Sequence, residues 1–246
     1  MEILAGRNSV HEALRAGRRH VARVMVVEGA QVAGSLDDIL GLCREQGVSV
    51  EQVSAQAFEA LGERVHHQGV MAQVSDYPYA SLEEMLVLAE ERGERPFLLA
   101  LDCVQDPHNV GALARSAEAA GVHGMISPSR RAAAITPAVS RASAGASEHL
   151  LVSQIVNLRR TLEQLKEERI WVVGIERHPD AVDYRSADLG RSIALVLGSE
   201  GSGMRRLTRE TCDFLVNIPM RGEVASLNVS VAGSILLYRC LESRHS

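Results

Sequence analysis

Pro96-Phe97-Leu98-Leu99-Ala100-Leu101-Asp102-Cys103-Val104-Gln105-Asp106-Pro107-His108-Asn109-Val110-Gly111-Ala112-Leu113-Ala114-Arg115 decides the fold class. Phe97 to Leu101 is a continuous apolar run, the pattern of a strand covered on both faces in a parallel sheet. A polar segment follows from Asp106, and a helix is expected from about Val110 to Ala120. A buried strand that runs through a polar loop into a helix is the opening of a βαβ unit.

The alternation continues downstream. Val122 to Ile126 reads as a strand, Asn157 to Arg169 as a helix and Ile170 to Ile175 as a strand. Ile193 to Leu197 and Phe214 to Ile218 read as further strands, and Leu227 to Glu242 closes the chain as a helix. This order predicts an α/β domain with a mainly parallel sheet over residues 96–246. Upstream, residues 1–76 form a smaller α/β module. It has an amphipathic helix around Ser9 to Arg15, strands Val21 to Val27, Val48 to Val53 and Gly69 to Val74, and a helix Leu36 to Gln46. Residues 77–95 join the two. Asp76 to Ala80 is the linker, and Ser81-Leu82-Glu83-Glu84 starts a connecting helix, with an acid at its third position, that runs to about Arg92.

Composition narrows the function classes. A chain of 246 residues, 46% hydrophobic, can build a sizeable core, and with one Trp and three Phe that core must rest on aliphatic side chains. The four cysteines, Cys43, Cys103, Cys212 and Cys240, show no metal or disulfide spacing, so no metal is expected. The N-terminus lacks a basic region followed by a long apolar run, and no segment is apolar enough to span a membrane; a cytoplasmic protein without membrane contact is expected. The net charge of -5 argues against coating nucleic acid by bulk positive charge and leaves room for a local basic patch. All basic residues except Lys166 are arginine, the better bidentate partner for phosphate, although codon bias in a GC-rich genome is the better account of this.

Three polar segments stand where strands end: Asp106 to Arg115, Leu197 to Met204 and Ile218 to Ser230. Ligands of α/β folds bind at the carboxyl ends of strands, so three such loops point to one site. In the first, Asn109 sits at a helix start and reads either as an N-cap or as a functional amide. Gly111 and Arg115 are four apart on one helical face, which leaves room for a phosphate or ribose beside the guanidinium; a solvated side chain is the alternative. In the second, Gly198, Gly201 and Gly203 permit positive φ and close backbone approach. The loop lacks the lysine of a P-loop, and Glu200 would repel a polyphosphate, so a neutral or zwitterionic ligand fits better. In the third, Ser226 and Asn228 lie at the mouth of a helix, where Ser226 reads as a cap or a site residue. Ile218, Met220 and Leu227 offer an apolar wall suited to an adenine ring.

In this order the segments resemble the three signature motifs of the SpoU (TrmH) family of RNA ribose 2′-O-methyltransferases, within the SPOUT superfamily. Asn109, Gly111 and Arg115 meet the first motif, and Gly198, Glu200 and Gly203 the second. Ile218 to Met220 with Ser226 to Ala232 meet the third. Val65-His66-His67-Gln68-Gly69, Trp171 and Met204 to Glu210 are similar to segments of the bacterial 23S rRNA guanosine 2′-O-methyltransferases.

The resemblance implies a deep trefoil knot in the second domain, an L30e-like RNA-binding module in the first, and a homodimer with the active site at its interface. It implies S-adenosylmethionine as cofactor, held by Gly198, Ile218 and Leu227 with Leu197 and Met220 nearby, and 23S rRNA as partner and substrate. Arg115, Asn109, Glu200, Ser226 and Asn228 are the implied catalytic set, with Arg115 facing the RNA. The candidate RNA contacts in the first module are Arg7, Arg18, Arg19, His66 and His67. Two alternatives are a tRNA methyltransferase of the same family and a non-catalytic RNA-binding assembly factor. Retention of Arg115, Glu200 and Asn228 speaks against the second.

Overall fold

The computed structural model describes residues 1–61 and 67–245, with backbone only for Glu59. These fall into two units: Met1–Pro78 with Ile135–His149, and Tyr79–Ala134 with Leu150–Ser246.

In the first unit, β1 (Glu2–Ala5), β2 (Val21–Val27), β3 (Ser49–Val53) and β4 (Val70–Val74) form a four-stranded sheet among the described residues, in the order β1-β4-β2-β3. Helices α1 (Arg7–Ala16) and α2 (Ser35–Gln46) pack together, and α3 (Ala55–Leu61) follows β3. Val10, Leu14, Leu36 and Ile39 are buried against Val24, Val26 and Val70 of the sheet, each such side chain contributing about 1.5–3 kcal/mol. Strand β1 and helix α3 were not expected from the sequence. A four-residue strand carries too little pattern to distinguish it from a chain end.

Ile135–His149, expected in the second domain, belongs to the first unit. It forms α6 (Pro137–Ala142) and a single 3-10 turn at Ala146–Glu148. Side-chain interactions hold it there. Glu148 pairs with the buried Arg19 at 3.5 Å, the Tyr77 hydroxyl donates to the Ser147 carbonyl at 2.8 Å, and His149 Nε2 meets Glu12 Oε2 at 2.7 Å. These partners lie far away in sequence, so periodicity could not show them.

The same contacts correct one expected RNA contact. Arg19 is buried, bonded to Ser75, Glu2 and Glu148, and is not available on the surface. Arg18 is half-buried and donates to the carbonyls of Pro78 and Glu148, while Arg7 donates to Gln68. His67 lies edge-on to Phe58, with ring centroids 4.7 Å apart. Val65 and His66 lie outside the described residues.

In the second unit, the capping box expected at Ser81 is present. The Ser81 hydroxyl accepts from Glu84 N at 3.2 Å, and the Glu84 carboxylate accepts from Ser81 N at 2.7 Å, opening α4 (Leu82–Glu91). The strands are β5 (Phe97–Asp102), β6 (Gly124–Pro128), β7 (Val152–Ile155), β8 (Trp171–Ile175), β9 (Val182–Asp183), β10 (Ile193–Gly198) and β11 (Phe214–Asn217). All their pairings are parallel, in the order β7-β6-β5-β10-β8-β11-β9 among the described residues. Helices α5 (Pro107–Ala119), α7 (Leu158–Glu167), α8 (Arg206–Thr211) and α9 (Val229–Arg244) complete the unit. The chain leaves β5 toward β6 and β7 on one side, and the later strands build up on the other. The adjacent ends of β5 and β10 therefore form a topological switch point, where a crevice opens.

Helix α9 lies close to α5 because Gly233 carries no side chain: a Cβ there would stand 2.4 Å from Leu113 Cδ2 and 2.7 Å from Leu197 Cδ1. The Ser116 and Ser234 hydroxyls join the two helices at 2.7 Å. This packing brings the start of α9 beside the start of α5. Among the described residues, no helix is long and apolar enough to cross a membrane.

Candidate active site

The loops after β5, β10 and β11 build the site. Helix α5 begins earlier than expected, with Asp106 as N-cap accepting from His108 N at 3.0 Å and Pro107 in the first turn. Asn109 is therefore not the cap. It lies inside the first turn, where its Nδ2 donates to Asp106 Oδ2 at 3.1 Å and is also free to reach a partner on another loop. Gly111 is buried, whereas Arg115, one turn on, is exposed.

The second loop is a tight turn in which Ser199 and Gly203 exchange two backbone hydrogen bonds of 3.0 Å each. Gly201 and Gly203 adopt positive φ, 81° and 66°. Gly198 does not, and is needed for a different reason: a Cβ there would fall 2.1 Å from the Gly203 carbonyl carbon and 2.2 Å from Met204 N. Beyond the turn, Arg205 is held by the fully buried carboxylate of Asp102 at the end of β5. Arg205 N donates to Oδ2 at 2.8 Å and Arg205 Nε to Oδ1 at 2.7 Å. A desolvated carboxylate requires such charge-assisted partners, and here they anchor the second loop to the first strand. Asp102 was not expected here, because a single acid at the end of an apolar run has no periodic signature.

The turn presents Glu200 to both other loops. Glu200 Oε1 accepts from Asn109 Nδ2 at 2.8 Å and from Asn228 Nδ2 at 2.7 Å, while Asn228 Nδ2 also donates to Asn109 Oδ1 at 3.0 Å. Asn228 is the N-cap of α9, its Oδ1 accepting from Ser230 N at 2.8 Å. That capping bond fixes the amide orientation and turns Nδ2 toward Glu200. The cap considered for Ser226 thus falls to Asn228, and Ser226 is exposed.

Beside this triangle is a cavity of about 500 Å³, a volume suited to a nucleoside-sized ligand. Leu197, Gly198, Ile218, Met220 and Leu227, the expected cofactor residues, all line it, together with Ile175, Glu176 and Asn217. Glu200, Ser226 and Asn228 border it as well, and Asn109 joins through its hydrogen bonds. Arg115 stands apart on α5, exposed, with no hydrogen bond or ion pair among the described residues.

Residues 96–238 match the SpoU rRNA Methylase family. The chain belongs to that family. Residues 3–80 match the RNA 2′-O ribose methyltransferase substrate binding family, so both units of this SpoU protein carry a family match. The chain is 42% identical over 244 residues to YacO of Bacillus subtilis, named for the TrmH family tRNA/rRNA methyltransferases, covering 99% of this chain and 96% of that protein. Among solved structures, the SpoU methyltransferase AviRb of Streptomyces viridochromogenes in complex with AdoMet superposes with a TM-score of 0.81 at 25% identity, over 99% of this chain and 90% of that one. The TrmH/SpoU tRNA modifying enzyme of A. aeolicus matches with a TM-score of 0.56 at 27% identity, over 61% of this chain and 76% of that one.

As a SpoU methylase the protein is an S-adenosylmethionine-dependent RNA 2′-O-methyltransferase, and the expected fold class and cofactor stand. The residues present fit that cofactor. Aliphatic side chains from three strand ends can enclose an adenine, the glycine loop permits backbone approach, and the buried carboxylate of Glu176 suits a ligand rich in hydrogen-bond donors.

Proposed function

We propose that the protein methylates the ribose 2′-oxygen of a guanosine in the peptidyl-transferase region of 23S rRNA, in the cytoplasm, as a homodimer whose knotted second domain holds the cofactor. The observation that carries this reading is the convergence of Asn109, Glu200 and Asn228, one from each loop, on the rim of the cavity. Whole-chain similarity to YacO, together with the substrate-binding match over residues 3–80, supports an enzyme that reads a structured RNA through its first unit.

When bound, S-adenosylmethionine supplies a methyl group already activated by its positive sulfur. The chain's task is to position the attacking oxygen and to stabilise its developing charge. Gly198, Leu197, Ile218, Met220 and Leu227 enclose the donor's nucleoside. Glu200 holds the amides of Asn109 and Asn228, and with Ser226 these orient the ribose at the cavity mouth. Arg115, with no ion pair among the described residues and apart from the cavity of its own chain, receives an RNA phosphate and stabilises the alkoxide across the proposed dimer interface. Its guanidinium keeps its proton, so it acts as an electrostatic partner and not as the base.

The test incubates the protein with radiolabelled S-adenosylmethionine and unmodified 23S rRNA or tRNA, followed by primer-extension mapping. A 2′-O-methyl on a 23S guanosine is expected. Transfer to tRNA alone would replace the proposed substrate, and transfer to neither would overturn the assignment.

A further inference from the structure

Glu176 follows β8 directly and lines the cavity. Its backbone N–H donates to the Val216 carbonyl at 3.1 Å, which ties it to β11. Its side chain is only 16% exposed. Oε1 meets Arg209 Nη1 at 3.5 Å, a long and one-sided ion pair, and it lies under the second loop, 2.5 Å from where a Gly203 Cβ would stand. Oε2 is buried and has no hydrogen-bond partner among the described residues.

A buried carboxylate oxygen without a donor is costly, and such an atom calls for an explanation. Arg209 balances the charge but leaves Oε2 unsatisfied. The apolar side chains of Ile175, Leu197 and Ile218 stand at the ends of the neighbouring strands β8, β10 and β11. That environment suits the uncharged nucleoside half of the cofactor, whereas the zwitterionic amino-acid half is better solvated toward the exposed turn at Glu200 and Gly201. The nucleoside half offers two kinds of donor, the adenine 6-amino group and the ribose hydroxyls; the apolar wall of Ile175, Leu197 and Ile218 suits the adenine ring, which leaves the hydroxyls for the polar Oε2.

We infer that Glu176 Oε2 accepts a hydrogen bond from the ribose 2′- or 3′-hydroxyl of S-adenosylmethionine and so selects ribonucleoside cofactors. The inference rests on the reading of the cavity as the cofactor site. Neither hydroxyl reacts, so Glu176 is a binding and positioning residue.

Calorimetric titration separates the two readings. The wild-type protein should bind S-adenosylhomocysteine about 10- to 100-fold more tightly than its 2′,3′-dideoxy analogue, as expected for a hydrogen bond to a charged group. Glu176→Ala should lose that preference, and its affinity for 5′-methylthioadenosine, which lacks the amino acid, should fall as far as that for S-adenosylhomocysteine. Arg209→Ala, which keeps the carboxylate, should retain the preference. If Glu176→Ala does not fold, Glu176→Gln should reduce the preference several-fold. An unchanged preference in the Glu176 variant would overturn the inference and leave the cofactor site standing. So would a loss for S-adenosylhomocysteine alone, which would assign the carboxylate to the ammonium group. Failure of the wild-type protein to bind S-adenosylhomocysteine would overturn both.

Discussion

Asn228 Nδ2 donates to Glu200 Oε1 over 2.7 Å, and the same oxygen takes a second bond from Asn109 at 2.8 Å, so one carboxylate atom locks three loops. Glu200→Ala leaves two amides without their common acceptor. Because Glu200 is exposed, the cost in stability should be small, about 1 kcal/mol. The loss of alignment should lower kcat by roughly 100-fold. Single-turnover methylation at saturating RNA, beside a urea melt, checks both numbers; unaltered turnover would show that the triangle has no part in the reaction.

Gly198→Ala should weaken cofactor binding with little change in the rest of the domain. The added methyl meets backbone atoms of Gly203 and Met204 at 2.1 and 2.2 Å, which cannot move aside as a flexible side chain would. The turn must open to admit it. Titration with S-adenosylhomocysteine should show affinity reduced by at least about 10-fold, near the 1.4 kcal/mol that such a factor represents.

Gly233→Ala should destabilise the protein through overpacking by about 1–3 kcal/mol. The clash is with Leu113 Cδ2 at 2.4 Å and Leu197 Cδ1 at 2.7 Å, both side-chain ends. Combining it with Leu113→Ala should therefore recover part of the loss relative to the sum of the single variants, measured by denaturant unfolding. Strict additivity would place the strain elsewhere.

Stability should fall as the pH drops below about 6.5, in part through His123. This buried ring accepts from Phe97 N through Nδ1 at 3.0 Å and meets Glu94 through Nε2 at 3.0 Å. Protonating Nδ1 would break the first bond. Burial holds its pKa below the ordinary 6.5, against the opposing pull of Glu94. The unfolded chain binds the proton first, so the stability that the neutral ring contributes is complete above the unfolded pKa and is lost as pH falls through the folded one. His123→Asn, which keeps an acceptor for Phe97 N, should show a shallower loss between pH 7.5 and 5.5 in urea melts. An identical slope would exclude His123 as the titrating group.

Most strands and helices of the second unit were legible to within a few residues because their causes are local: continuous apolar runs, Ser81 with Glu84, and Asn157 accepting from Arg160 N at 3.2 Å; the short β7, β9 and α8 were not expected, being too brief to show a period. Caps were less legible. Asp106 and Asn109 are both competent cap residues three positions apart, and only the helix geometry assigns the cap to Asp106. The apolar side of the cavity was readable as apolar residues at strand ends. Glu176 and Asp102 were missed because a single acid after a strand has no periodic signature.

The sequence by itself determined the alternation of strands and helices, the parallel sheet and the three polar loops, all from interactions within a few residues. Tertiary structure alone decided what those loops do to one another. Asn109, Glu200 and Asn228 are 91 and 28 residues apart in order along the chain, and they meet because β5 lies beside β10 while Gly233 lets α9 close on α5. The same holds for Ile135–His149, drawn into the first unit by Arg19, Tyr77 and Glu12. A side chain's partner across the fold depends on strand order and close packing, and neither is written in the spacing of its neighbours.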